Sequence, residues 1–307
     1  MTFTETFTLQ ALAPFNFDLT AQVFQGGDTQ IRTFANGEFH QVLRVNGKLV
    51  LASVTDVGSV KEPKLNVKMN SNNALTAEDT KKAGETINYI FNLDFPLCSF
   101  YGEAENDQTI HKITQQLYGL KLPTYPTVYE SLVDSIVEQQ ISVKVAHKLE
   151  EKLARRFGEK LILDESTFFV FPTPKDMACA SIEDIRGCGL SLRKAEYIQQ
   201  ASQLIVDGKL DLEHTKNHKS PEQIVAELDE IRGIGVWTAE LIMLEGMQRL
   251  DALPADDFGI RRVISRYYCG GRPIKSAEAR EIAKVWGKWK GLAAWYLIVA
   301  EARDVVV

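Results

Sequence analysis

The chain has 307 residues, of which 45% are apolar and 25% charged, enough for one to three globular domains with a sizeable buried core. No run approaches 18 uninterrupted apolar residues, which excludes a membrane-spanning helix, and residues 1–14 lack the basic-then-apolar pattern of a secretory signal. Taken over the whole chain, the formal net charge of −6 argues against a nucleic-acid partner.

The first hundred or so residues read as strand-rich. Phe3, Phe7 and Leu9 alternate loosely, and Asn36-Gly37 and Asn46-Gly47 are hairpin turn signals because both residues tolerate positive φ. The second pair is flanked by two predicted strands, 41–45 and 48–54. Residues 76–93 read as a helix, with Asp79 near its start and Ala83, Ile87, Ile90 and Phe91 at helical spacing.

From about residue 107 the period becomes 3.6 and stays there. Ile110, Ile113, Leu117 and Leu120 predict a helix that ends at Pro123. Tyr129, Leu132, Ile136 and Val137 predict another, interrupted at 138–142; Val145, Leu149, Leu153 and Phe157 continue after it, and Gly158 closes that helix. Thr173 before Pro174 has good capping chemistry, and Ser220 before Pro221 adds a capping-box glutamine, Gln223. The fold class is therefore α+β: an antiparallel-sheet α+β domain over 1–107, followed by a two-part all-α core. One helical part takes 108–122 with 248–307, the other 123–247.

Four cysteines, Cys98, Cys179, Cys188 and Cys269, lie far apart, so neither a zinc ribbon nor a four-cysteine iron–sulfur loop can be built. A reduced cytoplasmic compartment is expected. His214 and His218 stand among Thr, Lys and Asn and read as a solvated loop.

The informative internal feature is a repeat. Ile185-Arg-Gly-Cys-Gly189 and Ile231-Arg-Gly-Ile-Gly235 differ at one position and lie 46 residues apart, each between two predicted helices. This describes a helix–hairpin–helix element: glycines let the backbone turn tightly and approach a partner, and the next helix offers unpaired N–H groups to a phosphate. An ordinary turn would leave the same trace. It is not a dinucleotide fingerprint, since no strand precedes it and the third glycine is missing.

The segments that follow decide the matter. Residues 228–241 (LDEIRGIGVWTAEL) are followed by 253–260 (LPADDFGI), and upstream stand 119–123 (GLKLP), 136–142 (IVEQQIS) and 171–174 (FPTP). Together, over roughly residues 108–300, these resemble the helix–hairpin–helix DNA glycosylases, and within them the 3-methyladenine DNA glycosylase II type. Asp256 and Asp257 are both candidate carboxylates; the family's catalytic position matches Asp257. Cleaving an N-glycosidic bond builds positive charge on the sugar, which a fixed carboxylate stabilises while orienting or deprotonating water.

Trp237 stands where bifunctional relatives place a lysine nucleophile, so the resemblance implies a monofunctional hydrolase; its indole is a candidate for stacking on a flipped base. Phe258, Tyr125, Tyr129, Gln139 and Trp295 are further candidates for the base pocket. Gln140 matches the residue that fills the gap left by the base. Gly233, Ile234, Gly235, Thr238, Arg261 and Arg262 are expected to meet DNA. The position of a base-stacking tryptophan in some relatives is Ile298 here, which puts a copied substrate range in doubt. The resemblance also implies a monovalent cation, Na+ or K+, on the main-chain carbonyls of Asp229, Ile231 and Gly233, and no required cofactor.

The charge sum hides a local asymmetry. From Arg261 to Lys290 there are nine basic residues against Glu278 and Glu281, directly after the Asp pair, where a phosphate footprint is expected. The expected partner is double-stranded DNA with damaged bases, bound by a monomer associated with the nucleoid and not with a membrane. The leading function is removal of alkylated purines such as 3-methyladenine and 7-methylguanine. An oxidised-purine glycosylase/lyase and a non-enzymatic helix–hairpin–helix DNA-binding protein are the alternatives.

Overall fold

Both Asn-Gly pairs turn hairpins, with φ of 54° and 76° at Asn36-Gly37 and 47° and 78° at Asn46-Gly47. They join β2 (Arg32–Ala35), β3 (Glu38–Val45) and β4 (Lys48–Asp56) in the computed structural model, which describes residues 2–218 and 220–307. β1 (Phe3–Gln10) and β5 (Lys64–Ser71) complete a five-stranded antiparallel sheet in the order β1-β5-β4-β3-β2. The helix Ala77–Phe91 packs on it, and its start is capped reciprocally by Thr76 and Asp79. Phe15, Phe17, Phe34, Phe39 and Phe91 fill the space between, and Phe24 continues this aromatic cluster towards the rest of the molecule, 4.9 Å from Phe39.

The helical part has two cores. One runs from Val128 to Ala252 and includes both glycine-rich turns. The other joins Leu97–Leu122 to Leu244–Ala300. Asp107 shows why distant segments meet there. One of its carboxylate oxygens caps the helix Gln108–Gln116, and the other accepts from Tyr268 Oη at 2.7 Å and Trp286 Nε1 at 3.0 Å. The buried Tyr296 donates to the Leu120 carbonyl at 2.6 Å.

Three sequence expectations change. The helix Leu97–Ala104 packs in the discontinuous helical core, so the first domain ends between Leu93 and Leu97 rather than at 107. The helical array is interrupted by a small hairpin, β6 (Lys160–Leu163) and β7 (Ser166–Phe169). Leu161, Leu163 and Val170 cover Val42 and Leu51 on the other side of the N-terminal sheet, so this hairpin fastens the two halves together. Ser220 caps without a side-chain bond to the backbone, its hydroxyl going to Glu222 instead.

The two turns of the repeat differ in conformation. In the first, Gly187 ends the helix Ile182–Gly187 and Gly189 takes φ of +104°. In the second, Gly233 takes φ of +93° and Gly235 is the N-cap of Val236–Leu241. The positive-φ duty moves from one glycine to the other, so the sequence repeat is not a structural repeat.

Candidate active site

The helix Phe258–Tyr268 begins at Asp257, whose Oδ1 accepts the Ile260 N–H at 2.9 Å. Oδ2 has no hydrogen-bond donor among the described residues. Asp257 lines a cavity of about 900 Å³ at the junction of the three cores. Asp256 next to it is half exposed and faces Arg280 at 3.6 Å, so the structure separates the two carboxylates that the sequence left side by side.

Tyr125, Trp295 and Ile298 line this cavity, as does Leu241 from the helix after the hairpin. The opposite wall comes from the N-terminal domain, residues 22–32. Arg155 holds this segment from the helix Val143–Phe157, pairing with Asp28 and donating to Gln30 Oε1 at 2.7 Å. Arg32, at the start of β2, is carried into the cavity with its guanidinium 5.1 Å from the Phe24 ring and 5.0 Å from the Tyr125 ring, and 3.8 Å from Glu130.

Acidic groups crowd the interior. Val236–Leu241 runs on into a π-helical turn, Ile242–Gly246. Such turns release backbone carbonyls, and here the Glu245 carbonyl accepts Tyr125 N–H at 2.9 Å while that of Gly246 accepts the Tyr89 hydroxyl. The turn places the Glu245 side chain in the cavity wall with Glu138. Asp134, one helical turn before Glu138 on Val128–Glu138, accepts from the Tyr125 hydroxyl. Burial pushes the Glu130 carboxyl up to about 7, with Arg32 opposing and Asp134 adding to the rise. Burial and then the nearby Asp134 raise Glu138, Glu150 and Glu245 far above the ordinary carboxylate range, with Asp257 adding to the rise at Glu138 and Glu245.

These shifts predict a pH profile. A carboxyl whose folded pKa is raised binds more protons folded than unfolded, so its contribution to stability is complete below about 4.3 and is lost as pH rises through the folded value. The protein is therefore expected to lose at least about 1 kcal/mol of unfolding free energy between pH 5 and pH 7. Denaturant melts at fixed ionic strength measure this; stability that rises over that interval would refute the assignment.

The remaining sequence candidates divide. Gln139 does not line the cavity: its amide donates to the Gly233 carbonyl at 2.8 Å and to Thr238 Oγ1 at 3.1 Å, tying the break after Glu138 to the hairpin. Lys194 Nζ caps that break, donating to the carbonyls of Val137 and Gln139 at 2.8 and 2.6 Å. Gln140 is exposed with φ of +59°, as a protruding tip requires. Ile234 and Thr238 are 3% and 2% exposed and offer no side chain to DNA, whereas Gly235 is exposed and has no side-chain cap.

Phe258 is 70% exposed and outside the cavity, because the first residue after the N-cap points away from the helix axis into solvent. Trp237 is half-buried, its Nε1 enclosed without a partner among the described residues, and it too is absent from the cavity wall. Tyr129 is core, bonded to Ser202 Oγ at 2.7 Å. His218, read from the sequence as part of a solvated loop, is partly buried and faces Glu227 at 2.6 Å.

The basic stretch is largely matched by acids from elsewhere. Arg262 and Arg266 face Glu301, Arg280 faces Glu240 at 2.7 Å, and Lys288 faces Glu103 at 3.5 Å. Arg261 is turned inward onto the Asp256 carbonyl at 2.6 Å, bracing the loop beside Asp257. The exposed pairs are weak, so phosphates can displace the acids.

The hairpin carbonyls do not form a free three-acceptor set for a cation. That of Gly233 takes the Gln139 amide, and that of Ile231 takes the Ile234 N–H at 3.0 Å. A carbonyl oxygen has two lone pairs, so a monovalent cation at this turn would use the remaining ones and take a structural place outside the reaction. No helix among the described residues is long and apolar enough to cross a membrane.

The missed residues are Arg32, Asp134, Glu138, Glu150 and Glu245. Asp134 and Glu245 had a signal, since each is a lone acid in an apolar run, 132–137 and 241–247.

The chain is 28% identical to the DNA-3-methyladenine glycosylase of Bacillus subtilis over 70% of its own length and 72% of that protein. It is 31% identical to DNA-3-methyladenine glycosylase 2 of Escherichia coli over 58% of this chain and 60% of that one. The solved 3-methyladenine DNA-glycosylase of Archaeoglobus fulgidus superposes over 98% of this chain and all of that one, with a TM-score of 0.85 and 26% identity. Residues 133–288 match the family described as HhH-GPD superfamily base excision DNA repair protein, and the chain belongs to that superfamily.

Proposed function

We propose that this protein excises alkylated purines, 3-methyladenine and 7-methylguanine among them, from double-stranded DNA. It acts as a monomer, hydrolyses the N-glycosidic bond and leaves an abasic site uncut. The observation that carries this reading is Asp257, held by its own helix at the wall of a cavity large enough for a base, a wall it shares with Leu241 from the helix after the glycine hairpin.

Reaching that cavity requires the nucleotide to leave the duplex. The exposed Gln140 tip is placed to enter the gap, and the uncapped helix start at Gly235 to hold a phosphate. The sugar carbon then sits opposite the Asp257 carboxylate. As the bond to the base lengthens, positive charge gathers on the sugar, and Asp257 stabilises it and directs water to the carbon. An alkylated purine is already cationic and leaves without a strong acid.

A lyase step needs an amine nucleophile activated in a dry site. Trp237 occupies the position after the hairpin, and the lysines of the cavity rim, Lys144 and Lys148, are exposed. The test is chromatography of bases released from methylated DNA, alongside borohydride trapping. Free methylated purines with no covalent protein–DNA adduct are expected. No released base would refute the glycosylase reading, and a trapped adduct would restore the lyase alternative.

A further inference from the structure

The first glycine turn, residues 185–189, lies outside the cavity wall. The helix after it, Leu192–Val206, starts at Ser191, whose hydroxyl accepts the Lys194 N–H at 3.3 Å. Three residues after such a cap an acid is favoured, as Asp79, Asp176 and Asp184 show elsewhere in this chain. Here a lysine takes the position, a cation in the first turn of its own helix, where the dipole opposes it.

A second helix explains it. Val128–Glu138 ends at Gln139, where the chain turns out sharply with φ of −50° and ψ of 122°. The end of a helix leaves carbonyls in need of donors and favours a cation. Lys194 Nζ answers both needs with its two short bonds to the carbonyls of Val137 and Gln139.

The Gln139 carbonyl belongs to the same peptide group as the Gln140 N–H. Holding it fixes the plane from which Gln140 enters its φ of +59°, a left-handed conformation that a residue other than glycine keeps only under constraint. The Gln139 side chain is tied separately to the Gly233 carbonyl and Thr238 Oγ1. Each glycine turn therefore sends a contact to the residue before the tip, the second directly and the first through the helix that follows it. The first turn also sits close to the far side of the break: a Cβ on Gly189 would meet Leu149 Cδ2, on Val143–Phe157, at 3.0 Å.

We infer that Lys194 is a positioning residue for base extrusion, through which the first glycine turn holds the Gln140 tip in the posture that enters the duplex. This rests on Gln140 filling the gap left by the base. Lys194 touches no reacting atom. Without it the tip keeps its sequence and loses its direction, so the cost falls on opening the duplex and not on breaking the glycosidic bond.

Two duplexes separate these steps. Each carries one 7-methylguanine in the same sequence, in one opposite cytosine and in the other opposite a tetrahydrofuran abasic analogue, where little pairing has to be undone. Single-turnover release from the two gives a ratio, paired over unpaired. In K194M this ratio should fall at least about tenfold below its wild-type value. K194R, which restores a cation with several donors, should bring it back to within about threefold. K194Q gives the same comparison as K194M if the latter does not fold.

A wild-type ratio in K194M, including one reached by equal slowing on both duplexes, would reduce Lys194 to a structural cap and overturn the inference. Failure of K194R to recover the ratio would assign the effect to packing of the lysine stem and overturn it as well. Q140A on the same pair tests the reading beneath: an unchanged ratio there removes Gln140 from the gap. A lowered ratio in Q140A beside an unchanged one in K194M defeats the positioning role alone. No release from either duplex by the wild-type protein would refute the glycosylase reading instead.

Discussion

Replacing Asp257 by asparagine is expected to slow base release by about a thousandfold or more while leaving the fold intact. The two demands on this side chain separate cleanly. Its Oδ1 caps the helix Phe258–Tyr268 through the Ile260 N–H, and asparagine caps as well as aspartate does, so stability should stay within about 0.5 kcal/mol. What asparagine lacks is the negative charge opposite the sugar. DNA affinity should be preserved or rise slightly, because one repulsive charge near the phosphates is gone. Asp256→Asn is the control: half exposed and facing Arg280, it should change the rate by less than about threefold. Single-turnover release of 7-methylguanine measures both variants, and a fully active Asp257→Asn protein would remove the carboxylate from the mechanism.

Gly233→Ala should be the most damaging single methyl group in the hairpin. Gly233 has φ of +93°, and a Cβ there would lie 2.2 to 2.6 Å from three ring carbons of Tyr197. That ring cannot retreat freely, since the Arg232 guanidinium lies over it and is itself held by Glu196 at 3.3 Å. Left-handed strain and overpacking together should cost about 3 kcal/mol. DNA binding should fall further, because the Gly233 carbonyl also holds the Gln139 amide and through it the segment that leads to Gln140. Gly235→Ala separates folding from binding. Its φ is −101° and nothing lies within 4 Å of the added carbon, so the fold should tolerate it while the methyl group obstructs a phosphate. Denaturant titration and duplex affinity of the two variants decide the point; equal stability of both would refute the packing argument.

Much of the fold was legible because its signals are local. The Asn-Gly turns, the cap at Thr173 and the 3.6 period from residue 107 each depend on neighbours within a few positions. The Asp257 candidate rests on a different signal, a carboxylate at a fixed distance after a recognisable hairpin. What escaped depends on partners far along the chain. Arg32 meets Tyr125 and Glu130 roughly a hundred residues later, and no spacing rule connects them. The helix Leu97–Ala104 has an apolar face that either core could have buried, so its domain was undetermined. The β6–β7 hairpin is too short to carry a period. Glycine permits positive φ without requiring it, which is why two almost identical pentapeptides turn differently. Phe258 and Trp237 were expected in the pocket because aromatic rings suit bases, yet neither backbone position faces it.

The cavity is walled on one side by residues 22–32, a segment belonging to a different folding unit from Asp257 and the hairpin. One wall of the chamber is thereby built by a folding unit that carries none of the catalytic candidates. Changes at Phe24, Ile31 or Arg32 can alter the size and charge of the chamber while Asp257, its cap and the hairpin remain as they are. A directed search for new base preferences would do best to begin in this N-terminal segment, where diversity is cheapest for the catalytic machinery.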